Sequence, residues 1–122
     1  MTNRIAVATS DGINVDLHFA RASQFYIYDI YHDRFEFIEL RKSDAVLSHN
    51  ESEFDKTLEK LADCKAVIVS RVGTGALAYL ASRGLRVFEA PYPLEDVLDK
   101  MVHKNILENY KPKEQPEVNS KK

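Results

Sequence analysis

The chain has 122 residues, of which 44% are hydrophobic, 10% aromatic and 30% charged, a length that suits one domain with a single core. Its formal charge is −2 and its pI near 6.1; residues 111–122 hold four Lys and two Glu, which leaves −4 on residues 1–110. An acidic body argues against nucleic acid or an anionic membrane surface as partner, and a single cysteine, Cys64, excludes an internal disulfide framework, a multi-cysteine zinc site and a four-thiolate iron–sulfur cluster built from one chain.

Met1 to Arg4 leads into only four apolar residues, Ile5 to Ala8. A secretory signal or a membrane span needs a longer apolar run, so a cytoplasmic protein is expected. Ile5-Ala6-Val7-Ala8 reads as a short buried strand, and Asp11-Gly12 after it marks a tight turn. Ile13 to Ser23 has no clean period and reads as a loop. Phe25 to Tyr31 and Arg34 to Leu40 are strand-like, and the gap at His32-Asp33 makes them an antiparallel hairpin.

Lys42 to Asn50 is polar and reads as a second loop. Phe54, Leu58, Leu61 and Ala62 then form one helical stripe, which either Ser48 with Glu51 or Asn50 with Glu53 can open as a capping box. Ala66 to Val69 is the next strand. Gly73-Thr74-Gly75 interrupts the chain, and Ala76 to Ser82 is apolar on most sides, which predicts a buried helix. Gly84 suits a helix C′ position with positive φ, and Leu85 to Phe88 is a further strand. The last helix begins near Leu94, with Val97, Leu98 and Met101 inward; Glu95 and Asp96 at its start and Lys100, His103 and Lys104 near its end suit its dipole. Pro112 and Pro116 stop any continuation, so residues 1–110 are predicted to form the domain and residues 111–122 a disordered polar tail. The order strand, hairpin, helix, strand, helix, strand, helix predicts an α/β fold. Its mixed five-stranded sheet combines parallel crossovers with one antiparallel hairpin, flanked by helices.

Two segments carry a resemblance. Val15-Asp16-Leu17-His18-Phe19-Ala20-Arg21-Ala22, running into Phe25-Tyr26-Ile27-Tyr28-Asp29, is similar to a His-Phe-Gly-Arg-Ala pattern followed by a Phe-x-Ile-Tyr strand. Leu61 to Ala76, which includes Cys64-Lys65-Ala66-Val67-Ile68-Val69-Ser70-Arg71-Val72-Gly73-Thr74-Gly75, is similar to a second pattern of the same proteins. Over residues 4–102 the chain thus resembles the dinitrogenase iron–molybdenum cofactor biosynthesis family, the NifX-like proteins and the C-terminal part of NifB. The resemblance implies an RNase H-like three-layer fold. It also implies a small non-enzymatic carrier or scaffold that binds an iron–sulfur or iron–molybdenum cofactor, or a precursor, and delivers it to nitrogenase-type assembly proteins, as a monomer or homodimer. A regulatory or protein-interaction module that has kept the fold and lost the cofactor is the alternative. The chain departs from the family pattern at Ala20, where glycine is usual, and in Ser43 to His49, where Cys-Gly-Gly often stands in NifB-like members.

The candidate residues follow from their chemistry. A neutral imidazole is a good ligand for iron or zinc, so His18 on its loop is the first metal-ligand candidate and His49 the second. The plainer readings are a turn-capping His18 packed on Phe19 and a solvated His49 at a helix start. Arg21 and Arg71 flank the two motif loops and suit the anionic edge of a cofactor through charge-assisted hydrogen bonds. Gly73 and Gly75 are cofactor-binding candidates. They also begin a Gly73-x-Gly75-x-x-Ala78 pattern that resembles a dinucleotide fingerprint, with Glu89 as its acid. Glu89 comes 16 residues after Gly73 and only one helix follows it, so the glycines are expected to serve a tight turn and close helix–sheet packing. Cys64 enters a strand and is expected to be a packed thiol. His32 and His103 read as solvated. Asp11, Asp16, Asp29 and Glu36 form no two-metal pattern, and no Ser–His–Asp or Cys–His order stands out.

Overall fold

The computed structural model describes residues 3–43 and 51–104. His49, both capping boxes and the tail at 111–122 lie outside the described residues. Strand β1 (Asn3–Ala8) carries the first apolar run, and Ile5 to Ala8 are fully buried because this strand is covered on both faces. Strands β2 (Gln24–Ile30) and β3 (Phe35–Lys42) form the expected hairpin, closed by a hydrogen bond from Tyr31 N–H to the Arg34 carbonyl at 2.8 Å. The remaining strands are β4 (Ala66–Val69) and β5 (Arg86–Glu89). The sheet order is β3-β2-β1-β4-β5, with β2 antiparallel to β1 and β3, and with β1, β4 and β5 mutually parallel. Among the described residues the architecture is therefore a mixed five-stranded sheet with three α-helices.

The period-two alternation of the strands splits the core into two layers. Ala6, Ala8, Phe25, Ile27, Val67 and Val69 face helices α1 (Glu51–Lys60) and α2 (Thr74–Ser82). Ile5, Val7, Tyr28, Ile30, Ala66 and Ile68 face helix α3 (Leu94–His103), which seals them with Leu94, Leu98, Met101 and Val102. Among the described residues no helix is long and apolar enough to cross a membrane.

Two helical expectations are corrected. The first helix ends at Lys60, and the chain turns through bonds from Leu61 N–H to the Leu58 carbonyl and from Cys64 N–H to the Leu61 carbonyl. Leu61 stays in the core, but Ala62 leaves the stripe and is exposed, while Thr57 is buried in its place. Helix α2 is not a buried helix: Leu80 is its buried residue, and Ala78 and Ala81 face solvent. Alanine is tolerated on either side of such a helix, so composition alone did not identify the outer face.

Turn chemistry holds the loop after β1. The Asp11 carboxylate accepts the N–H groups of Ile13 (2.8 Å) and Asn14 (3.1 Å), which hold it below the usual carboxylate range. Buried Thr9 donates to the Asn14 carbonyl and accepts the Gly12 N–H. Gly12 has φ +76°, and a Cβ there would sit 2.6 Å from the Tyr26 ring, so this turn requires glycine.

At the opposite end of the sheet, Arg4 reaches Asp29 through two nitrogens at 2.7 and 3.0 Å and Asp63 through a third at 3.1 Å. Arg41 grips Asp63 with both terminal nitrogens, at 2.7 and 2.8 Å. The Arg41 hydrogen bonds, followed by those of Arg4, hold the Asp63 carboxyl well below its ordinary value. A carboxyl lowered on folding stabilises the fold above its unfolded pKa near ~3.9, and that contribution fades as pH falls through the folded value. Asp63 is partly exposed, which keeps the effect modest. Asp63→Asn is expected to lower the thermal midpoint by a few degrees at pH 7. The gap should close in scans taken at progressively lower pH below 4; a gap independent of pH would contradict this role.

Candidate functional site

The parallel strands β1, β4 and β5 end on the same side of the sheet, where open α/β sheets commonly form crevices. Leaving β1, the chain crosses back over the end of β4. Ser70 N–H donates to the Leu17 carbonyl and Phe19 N–H to the Arg71 carbonyl, both at 3.0 Å, so His18 and Arg71 pair as a parallel bridge. Bridge partners project to the same side, which puts an imidazole beside a guanidinium at the sheet's rim. A short 3-10 turn, Phe19–Arg21, follows, within the stretch expected to be loop. Ala20 lies inside that turn, in a helical backbone where alanine carries no penalty, so its replacement of the family glycine costs nothing here.

A cleft of about 780 Å³ opens at this rim. His18, Arg21, Arg71, Gly73 and Gly75 all line it, so five of the six residues singled out from the sequence converge; the sixth, His49, lies outside the described residues. His18, Arg21 and Arg71 are exposed, and among the described residues no ring or guanidinium atom of the three has a hydrogen-bond or ion-pair partner. Phe19 is thus buried beneath the site while His18 itself is free of the turn-capping role. An aromatic floor lies below: the Phe19 and Phe54 rings are 5.8 Å apart, and Phe54 and Tyr79 6.2 Å. The Tyr79 hydroxyl donates to Asp55 at 2.6 Å and accepts from Arg83 at 2.7 Å. The hydrogen bond to Asp55, with desolvation second, raises the phenol above its ordinary value and keeps it a neutral donor.

The role expected for the glycines is corrected. Gly73 is the N-cap of α2 at φ −70°, a conformation open to any residue, and no side chain caps the helix. A Cβ added at Gly73 or Gly75 would meet nothing within 4 Å. Neither a tight turn nor close packing demands them; their effect is to leave the first turn of α2 bare toward the cleft. Uncapped first-turn N–H groups carry partial positive charge and favour anions. Glu89 does not await a ribose: its Oε2 accepts the Val72 N–H at 2.8 Å. No local pattern marks this role, or the floor that Phe54 and Tyr79 form: Phe54 reads in sequence as part of a helical stripe, and Tyr79 as part of a buried helix.

Among the described residues no group of three or more His, Cys, Asp and Glu is placed to hold a metal ion. Among the described residues the cleft offers one imidazole and two guanidiniums without partners, and a helix start with no side-chain cap. Such a set is chemically suited to an anion, through charge-assisted hydrogen bonds.

Residues 1–104 match the dinitrogenase iron-molybdenum cofactor family. The chain belongs to that family. The match covers the whole described fold, including both loops of the cleft. Related proteins include the FeMo cofactor biosynthesis protein NifB of Frankia alni, 31% identical over 104 residues, and of Klebsiella pneumoniae, 33% identical over 104 residues. These alignments take in 80% and 77% of this chain but only 20% and 22% of the NifB proteins. Protein NifX of Rhodobacter capsulatus is 27% identical over 106 residues, 80% of this chain and 67% of NifX. The fold recurs in the crystal structure of PH0822, with a TM-score of 0.65 at 23% identity over 83% of this chain and 89% of that one. It recurs also in mj0327 of Methanocaldococcus jannaschii, with a TM-score of 0.58 at 11% identity over 85% and 91%.

Cys64 lies away from the cleft and packs against the α1/α2 core layer as a half-buried thiol. Burial first, and the Asp63 carboxylate second, push it up to about 12. The thiolate is the reactive form, so at pH 8 Cys64 is expected to react with iodoacetamide more than about a hundredfold slower than free cysteine. Alkylation rates followed by mass spectrometry test this; a rate near that of free cysteine would contradict it.

Proposed function

We propose that this member of the dinitrogenase iron-molybdenum cofactor family is a non-enzymatic carrier for an iron–sulfur or iron–molybdenum cluster, or a precursor of one, in FeMo-cofactor biosynthesis. The observation that carries this reading is the exposed His18 imidazole, without a side-chain partner among the described residues and held by backbone pairing beside Arg71 at the rim of the cleft. A pre-assembled cluster supplies its own sulfides, so one protein ligand suffices to hold it. Arg21, Arg71 and the bare first turn of α2 offset its negative charge. Sparse ligation makes the grip loose enough for transfer to nitrogenase-type assembly proteins. The likeness to NifB and NifX supports the same reading, and the strand order supports the RNase H-like assignment.

Anaerobic reconstitution with ferrous iron and sulfide, with and without molybdate, tests the proposal through metal content and visible absorption. Wild type is expected to take up a chromophore. His18→Ala, which leaves the backbone bridge in place, is expected to weaken uptake by about ten- to a hundredfold, in line with losses at metal sites. No chromophore on wild type, or equal uptake by His18→Ala, overturns the carrier and leaves the interaction-module reading.

A further inference from the structure

Glu89 is the one carboxylate among the described residues that line the cleft. It ends β5 opposite Val69, so it shares a face of the sheet with the strand that leads to Arg71. A glutamate in a cleft with two arginines that have no partner among the described residues would ordinarily form an ion pair with one of them. Glu89 forms none with them; its Oε2 accepts the backbone N–H of Val72 at 2.8 Å instead.

Val72 separates Arg71 from Gly73, the N-cap of α2. On its β1 side this loop is tied by the bonds between Leu17 and Ser70 and between Phe19 and Arg71. Toward β5, beyond the ladder bond from Ala90 N–H to the Val69 carbonyl, the bond to Glu89 is the contact that reaches past the strand end. Without it, the main chain between Arg71 and the start of α2 has no hydrogen bond toward β5 among the described residues, and only the packing of the Val72 side chain on the α1/α2 core layer holds it from that side.

We propose that Glu89 is a positioning residue of the cleft: its carboxylate tethers the Val72 amide, setting Arg71 and the start of α2 in register with His18, and does not itself touch the cargo. The cargo half of this statement rests on the carrier reading above; the tether does not. The two roles make different demands. A tether needs an acceptor oxygen, which glutamine retains; a ligand to metal needs the anionic charge, which glutamine lacks. Removing the charge also strengthens the field that the cleft presents to an anion.

Two variants and two readouts decide it. Solvent exchange at the Val72 amide, measured by NMR on the unloaded full chain, is expected to be equally slow in wild type and Glu89→Gln and about tenfold faster in Glu89→Ala. Uptake of iron and sulfide is expected to equal or exceed wild type in Glu89→Gln and to fall several-fold in Glu89→Ala. Unchanged exchange in Glu89→Ala overturns the tether. A Glu89→Gln protein whose Val72 amide stays protected but which takes up no cluster overturns the positioning role in favour of a ligand. Should wild type itself take up no cluster, the carrier reading fails while the exchange measurement still judges the tether.

Discussion

Two backbone hydrogen bonds, between Leu17 and Ser70 and between Phe19 and Arg71, extend the sheet beyond its last formal strand residues. Everything at the cleft depends on this pairing. It places His18 and Arg71 side by side, fixes the start of the 3-10 turn that carries Arg21, and leaves the imidazole exposed at the rim. The side chains of the site are held indirectly, through the main chain. That arrangement orders the site while keeping its polar groups unspent.

The loops that build the site are stiff for reasons unconnected with a ligand. Asp11, Thr9 and Gly12 lock the turn after β1, and buried Phe19 anchors the segment just past His18 in the α1/α2 core layer. The charged network of Arg4, Asp29, Arg41 and Asp63 ties the start of β1, the end of β2, the end of β3 and the α1–β4 connection together. Rigid support from both gives a preorganised cleft, and preorganisation lowers the ordering cost of binding.

Much of the fold was legible in the sequence because its signals are local. The apolar runs at Ile5–Ala8 and Ala66–Val69, the hairpin around His32-Asp33, the Gly84 terminus and the stripe of α3 are each properties of a few adjacent residues. Misreadings arose where neighbours in space decide. Ala62 and the outer alanines of α2 look apolar in sequence, yet Ala62 is exposed because α1 ends at Lys60 and the chain turns, and Ala78 and Ala81 because only one side of α2 meets the core. At the site, His18, Arg21, Arg71, Gly73 and Gly75 were marked by motif, but no spacing rule reveals that the chain after β1 doubles back onto β4. In sequence the glycines read as packing residues, and the open space around them contradicts that. Glu89 was considered for a ribose, because its bond to Val72 exists only once β5 lies beside β4.

The central claim is that the His18 imidazole ligates a metal–sulfide cluster at this rim. Pulsed electron paramagnetic resonance on protein carrying nitrogen-15 histidine and a loaded cluster addresses it most directly. The account expects a histidine nitrogen coupled to the cluster spin and the loss of that coupling in His18→Ala protein. A loaded cluster with no histidine coupling, or with coupling that survives the substitution, would contradict it.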